Sequence, residues 1–187
     1  NQDATTINIV PEEALQYKAD RYYFTDSFAQ QPYDLYASPL DLNKEGSPPK
    51  VVRPLQPVIR FGVPYIDTTG EKRGIVLVNI DVGSFLTQLK SQYNKTIFFI
   101  VDQDGYYVAH SAGSKEWGGP RDLDTGESIY RDYPYVATSI LSQTTQVVES
   151  DTHYFIRSHL VLNSSTDKYF VVVSAVPKSI LFLESSS

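Results

Sequence analysis

The sequence predicts an α+β protein built from two similar units in tandem, the first truncated at its N-terminus. Three observations predict it. Hairpin-type strand pairs recur on either side of one amphipathic stretch, residues 82–93. After its hairpin the second half continues through a helical excursion into three successive strand-like runs. Meander strands and segregated helices suit antiparallel sheets with helices packed on them, not a parallel α/β sheet. At 187 residues the chain is long enough for one large domain or two small ones. The first unit is expected over residues 1–88 and the second over residues 89–187.

Taken in order, residues 5–10 (TTINIV) form a short strand candidate. Pro11-Glu12-Glu13 reads as a helix start, with Pro at the first position and acids in the first turn. That helix is expected to reach about Ala29 with an interruption near Asp20, and residues 33–40 turn strand-like. Residues 43–54 hold Gly46, Pro48, Pro49 and Pro54 and read as loop. Residues 57–67 alternate as a strand, with Val58, Arg60 and Gly62 on one face and Ile59, Phe61 and Val63 on the other. A turn at residues 68–71 leads into residues 72–81, whose nearly continuous apolar run predicts burial on both faces. Val82, Phe85, Leu86 and Leu89, spaced by three and four, predict an amphipathic helix.

The pattern then restarts. Residues 96–101 and 106–110 are strands around an Asp102–Gly105 turn, and residues 111–127, with five Gly or Pro, are loop. Residues 128–141 are a weak helix broken at Pro134. Residues 144–149, 153–162 and 168–176 are strands, with turns at 150–151 and 163–167, and a last helix starts at Pro177.

Composition removes several functions. Hydrophobic residues are 41% and charged residues 20%, enough for a core, and the net charge is −6. Holding nucleic acid needs concentrated Lys and Arg, so no nucleic-acid partner is expected. No apolar run approaches the ~20 residues of a membrane helix. The chain starts at Asn1 and has no Met, so a fragment or processed chain is expected. Without Cys there is no disulfide, thiol nucleophile or thiolate metal site, and the three His form no HExxH. No GxSxG, Walker loop or paired-carboxylate signature occurs, so neither catalytic residues nor a cofactor is expected. Tyr stands out at 14 residues; its ring buries while its hydroxyl bonds, which suits a small polar pocket and equally a β-rich core.

Several runs, in sequence order, carry a likeness to one family. They are Leu15-Gln16 with Asp20-Arg21-Tyr22-Tyr23-Phe24, then residues 36–45 (YASPLDLNKE), PVIRF with Pro64, GEKRGIV at 70–76, DQDGYY at 102–107 and EWG at 116–118. Together they resemble the double Cache (tandem PAS-like) extracytoplasmic sensor domains of prokaryotic histidine kinases, chemoreceptors and diguanylate cyclases, over residues 11–176. The resemblance implies a domain outside the cytoplasmic membrane in a membrane-anchored parent, with a homodimer left open. A small ligand enters the membrane-distal module, and a conformational change reaches a cytoplasmic output domain with no chemistry done on the ligand.

Candidate ligand residues follow from both readings. Arg21 offers a fork that grips a carboxylate through two bonds, or else solvates a helix; Arg followed by aromatics resembles the carboxylate grip of amino-acid-binding relatives. Tyr22 and Tyr23 lie about 100° apart on a helix, so one is expected to face a pocket, and Tyr23 matches the family's aromatic position. Tyr36, Ser38 and Asp41 come from the YASPLD run; Asp41 could accept from an ammonium or merely shape a turn. Asn79, inside an apolar strand, needs a partner, and it stands where amino-acid-binding relatives usually place Asp. Arg60 could point into the pocket or pair with Asp67 or Glu71, and a surface or structural role is the expectation. The ligand classes left open are amino-acid-like, organic acid and quaternary amine. An extracellular structural module and a hydrolase are the alternative functions.

Overall fold

The structure is a computed structural model that describes residues 9–93, 96–142, 145–162 and 168–183. Most of the strand expected at 5–10, and the turn at 163–167, lie outside the described residues.

A first sheet is organised around β5 (Pro57–Ile66). One edge of β5 pairs antiparallel with β6 (Lys72–Asp81). The other edge takes two short strands end to end, β1 (Tyr36–Ala37) opposite Phe61 and Gly62, and β2 (Asp41–Leu42) opposite Pro57 and Val58. Pro39 has no N–H for a ladder, so the run breaks between them. Ser38 closes the gap: its N–H donates to Arg60 O at 2.8 Å, and its Oγ accepts the Arg60 N–H at 2.8 Å. Two further short strands, β3 (Lys44–Glu45) and β4 (Lys50–Val51), pair with each other across the Gly- and Pro-rich run that reads as loop in the sequence.

The helix expected from Pro11 to Ala29 is instead a 3₁₀ turn at Glu12–Ala14 and a helix, α1 (Tyr22–Ala29), with extended backbone at Arg21. That shift matters, because it puts Arg21 at the helix entrance. α1 packs on the face of β5 that carries Val58, Arg60 and Gly62, and Gly62 permits the approach: a Cβ there would lie 2.1 Å from Ser27 Oγ. The expectation that β6 is buried on both faces fails. Val76, Val78 and Ile80 are 45–55% exposed, because among the described residues nothing is packed over that side.

Helix α2 (Gly83–Ser91) leads from β6 to the second sheet. Its strands are β7 (Ile97–Asp102), β8 (Tyr107–His110), β9 (Val147–Glu149), β10 (His153–Val161) and β11 (Tyr169–Pro177), in the order β8-β7-β11-β10-β9. All neighbours are antiparallel. The broken helix of the sequence is two short ones, α3 (Ile129–Asp132) and α4 (Ala137–Leu141), and α5 (Lys178–Leu183) follows β11. α3 and α4 cover one face of the sheet, sealing Phe99, Val101, Ile129, Ile140, Phe155, Val171 and Val173 from solvent.

Period-2 alternation sends Phe98 and Ile100 to the opposite face. There they join Val108, Trp117 and Phe170 with Leu40, Leu42 and Leu86 from the first sheet's side. At ~1.5–3 kcal/mol per fully buried large apolar side chain, this shared core ties the two sheets together. The loop after β8 is fixed against it. Gly118 N–H donates to Tyr107 O at 3.0 Å, and Gly126 N–H to Gly118 O at 2.9 Å. A Cβ on Gly118 would stand 2.1 Å from the backbone oxygen of Glu127, which itself accepts the Tyr107 N–H. Gly118→Ala is therefore expected to destabilise the fold by about 1–3 kcal/mol in urea unfolding, the usual cost of overpacking. A loss below about 0.5 kcal/mol would show that the loop is not clamped there.

Candidate functional site

A cavity of about 220 Å³ opens where the entrance of α1 meets β2, β3 and β5. It is lined by Asp20, Arg21, Tyr22, Tyr23, Asp41, Leu42, Lys44, Pro49, Arg60 and Arg121. Drug-sized ligands occupy ~300–1,000 Å³, so this volume suits a small metabolite.

The floor is a buried ionic network. The side chains of Arg60 and Asp41 are only 3% and 5% exposed, and Arg60 Nη1 donates to Asp41 Oδ1 at 2.5 Å. The other carboxylate oxygen, Oδ2, accepts the Tyr22 hydroxyl at 2.5 Å. Arg60 Nη2 donates to Asn43 Oδ1 at 3.2 Å, and the guanidinium lies 4.8 Å over the Tyr23 ring. Burial, then the Asp41 charge and its hydrogen bond, push the Tyr22 phenol well above its ordinary value, so it remains a donor. Burial pulls the Arg60 guanidinium down, but Asp41 and Tyr22 outweigh it and hold it above its ordinary value.

Arg21 stands differently. It is 9% exposed, and its Nη2 donates to Gly46 O at 2.6 Å. Its buried Nε has no hydrogen-bond partner, the nearest carboxylate oxygen being that of Asp20 at 3.7 Å. A buried donor without an acceptor costs about 1–3 kcal/mol, more when charged, and a bound anion would recover that energy.

Of the six residues expected at the site, Arg21, Tyr23 and Asp41 line the cavity. Three stand outside it. Ser38 is consumed by its bonds to Arg60 N–H and Pro39 O. Tyr36 is buried with its hydroxyl on Asp26 Oδ2 at 3.0 Å. Asn79 is an exposed residue of β6 opposite Arg60, because α1 covers β5 and leaves the end of β6 open. The single-tyrosine expectation also fails: the cavity sits over the first turn of α1, where both Tyr22 and Tyr23 reach it. Arg60 is not on the surface, since Asp67 and Glu71 are taken by Arg73 and Asp41 holds Arg60. The face pattern Val58, Arg60, Gly62 was the available signal for Arg60, because a small residue beside it marks the face that a helix approaches. Lys44 and Arg121 had no such signal.

Asp122 joins the cavity wall to the second sheet's loop: its Oδ1 accepts the Leu42 N–H at 2.8 Å. Burial first, and the nearby Asp41 charge, push its carboxyl up to about 6, against the pull of that N–H and of Lys44 and Arg121. The folded chain thus binds this proton more tightly than the unfolded chain. Stability from this group is present at pH 4 and lost as the pH rises toward 6. Asp122→Asn keeps the acceptor and removes the charge. It is expected to stabilise the fold at pH 7.5 by on the order of 2 kcal/mol and to add little at pH 4. Equal effects in urea unfolding at both pH values would contradict that origin.

The fold is that of Cache-type (PAS-like) modules, as the sequence resemblance implied. The family model for the bacterial histidine kinase sensor domain matches residues 2–173, and the chain belongs to that family. Its role is that of a sensor domain. The extracellular domain of the putative histidine kinase vpHK1S-Z8 is similar at TM-score 0.69 and 18% identity, over 91% of this chain and 60% of that one. A sensory box/GGDEF family protein domain from Vibrio parahaemolyticus is similar at TM-score 0.70 and 18% identity, over 87% and 60%. The ligand-binding domain of the Pseudomonas aeruginosa amino acid chemoreceptor PctC, solved with GABA, is similar at TM-score 0.59 and 11% identity, over 91% and 66%. These likenesses show a shared fold, and the chain spans about 60% of the length of the first two. No curated protein matches the chain.

Proposed function

We propose that this chain is the extracytoplasmic sensing part of a membrane receptor and that it binds a small carboxylate in the cavity at the entrance of α1. Residues 1–88 are the membrane-distal, ligand-binding module, and residues 89–187 the membrane-proximal module that passes the change toward a cytoplasmic output such as a histidine kinase or diguanylate cyclase. The sensing part itself does no chemistry on its ligand. The observation that carries the reading is Arg21, which lines that cavity and whose buried Nε makes no hydrogen bond.

Among the three ligand classes, the electrostatics favour the organic acid. A quaternary amine needs an open negative or aromatic face, and the buried carboxylate of Asp41 is already held by Arg60 and Tyr22. The ammonium of an amino acid would have to compete with that pair. At Arg21 a ligand carboxylate meets a weaker competitor, the exposed Asp20, whose Oδ1 stands 3.7 Å from Nε, beyond hydrogen-bond distance. Calorimetry of the chain against short organic acids, amino acids and betaines tests the reading. One-to-one binding confined to ligands that bear a carboxylate is expected, and binding of choline, which keeps betaine's quaternary ammonium but has an alcohol in place of its carboxylate, with no carboxylate binding would overturn it.

A further inference from the structure

Arg121 belongs to the loop after β8, yet it lines the cavity at the entrance of α1. Its guanidinium lies 5.5 Å over the Tyr22 ring. Among the described residues no carboxylate stands within ion-pair distance of it, and the side chain is exposed. Its backbone is fixed, because the next residue, Asp122, accepts the Leu42 N–H and donates its own N–H to Gly119 O at 3.0 Å. A free cationic fork is thus carried to the cavity on a rigid support from the other sheet. The lining charges reinforce the point. Arg21, Lys44, Arg60 and Arg121 oppose Asp20 and Asp41, four cations against two acids, a surplus of two positive charges.

We infer that the ligand is a dianion, a short dicarboxylate with one end on Arg21 and the other on Arg121, so that occupancy draws the second sheet's loop onto the first module. The inference rests on the proposed carboxylate site and adds its second contact. A ligand with two acid ends neutralises the surplus and engages a cation from each side of the shared core. Ligand binding then strengthens the contact between the two halves, which is the form a transmitted signal takes when the ligand prefers one arrangement over the other.

The test compares straight-chain dicarboxylates, malonate to adipate, with the ω-amino acids that carry an ammonium in place of one carboxylate, GABA being the partner of glutarate. Each pair differs only in a carboxylate replaced by an ammonium. Calorimetry of the wild-type chain is expected to favour one dicarboxylate over its amino partner by at least tenfold. Arg121→Ala should weaken that dicarboxylate at least tenfold, Arg121→Lys should restore part of the loss, and Arg121→Glu should reverse the preference toward the ω-amino acid. Arg121 is exposed and makes no ion pair among the described residues, so each variant should remain folded, with its unfolding midpoint measured on the preparation used for binding. Dicarboxylate binding unchanged in Arg121→Ala, or an ω-amino acid preferred by wild type, overturns the inference while leaving the carboxylate site standing. Absence of binding by every carboxylate overturns both.

Discussion

Arg60→Met is expected to destabilise the chain by about 3–5 kcal/mol at neutral pH, the usual cost of leaving one partner of a buried ion pair uncompensated. Arg60 and Asp41 are almost completely removed from water. Taking away the guanidinium leaves a carboxylate whose only remaining donor in this network is the Tyr22 hydroxyl. Asn43 loses a donor too, and Tyr23 loses the cation over its ring. Adding Asp41→Asn to Arg60→Met should recover at least half of the loss. The amide oxygen can still accept from Tyr22, and replacing both members of a buried pair is often close to neutral. Urea unfolding of the two single variants and the double variant measures this. A cost below about 1 kcal/mol for Arg60→Met would show that water reaches the pair and that the cavity floor is not a closed ionic network.

Arg21→Met is expected to weaken carboxylate binding tens- to thousands-fold, from the roughly 2–5 kcal/mol lost when one partner of a buried charge contact is removed. The substitution also deletes the bond to Gly46 O, which fixes the turn between β3 and β4 against the helix entrance. Stability and affinity must therefore be measured on the same preparation. A modest drop in unfolding midpoint with a large drop in affinity is the expected combination. Arg21→Lys should retain some affinity, since it keeps a point charge but loses the planar fork. A dissociation constant unchanged in Arg21→Met would remove Arg21 from the site.

The long hairpin strands of both sheets and the α2 helix were legible in the sequence for one physical reason. Hairpins and the α2 stretch carry their own periodicity, and a period of 2 or of 3.6 survives without knowledge of partners. What was not legible depended on contacts across the chain. The apolar run of β6 promised two buried faces, but Val76, Val78 and Ile80 are exposed, and no local pattern reports what covers a strand. The start of α1 at Tyr22 was obscured by the Pro-Glu-Glu signal upstream, which nucleates only a 3₁₀ turn. Arg21, Tyr23 and Asp41 line one cavity because the motif places them around one helix entrance and one strand break. Asn79 was misplaced for the same reason that β6 was, since a polar residue in an apolar run suggests burial only if the run is buried. Arg121 comes from another sheet's loop, as does the Asp122–Leu42 contact that bridges 80 positions of sequence, and pattern reading does not reach that far.

The measurement that bears most directly on this account is a crystal structure of the chain with the tightest-binding carboxylate from the calorimetric panel. Ligand density is expected in the cavity at the entrance of α1, with a carboxylate oxygen within ~2.7–3.2 Å of Arg21 Nε and the Arg60–Asp41 pair intact beneath it. Density against the α3 and α4 layer of the second sheet, with the Arg21 cavity unoccupied, would contradict it.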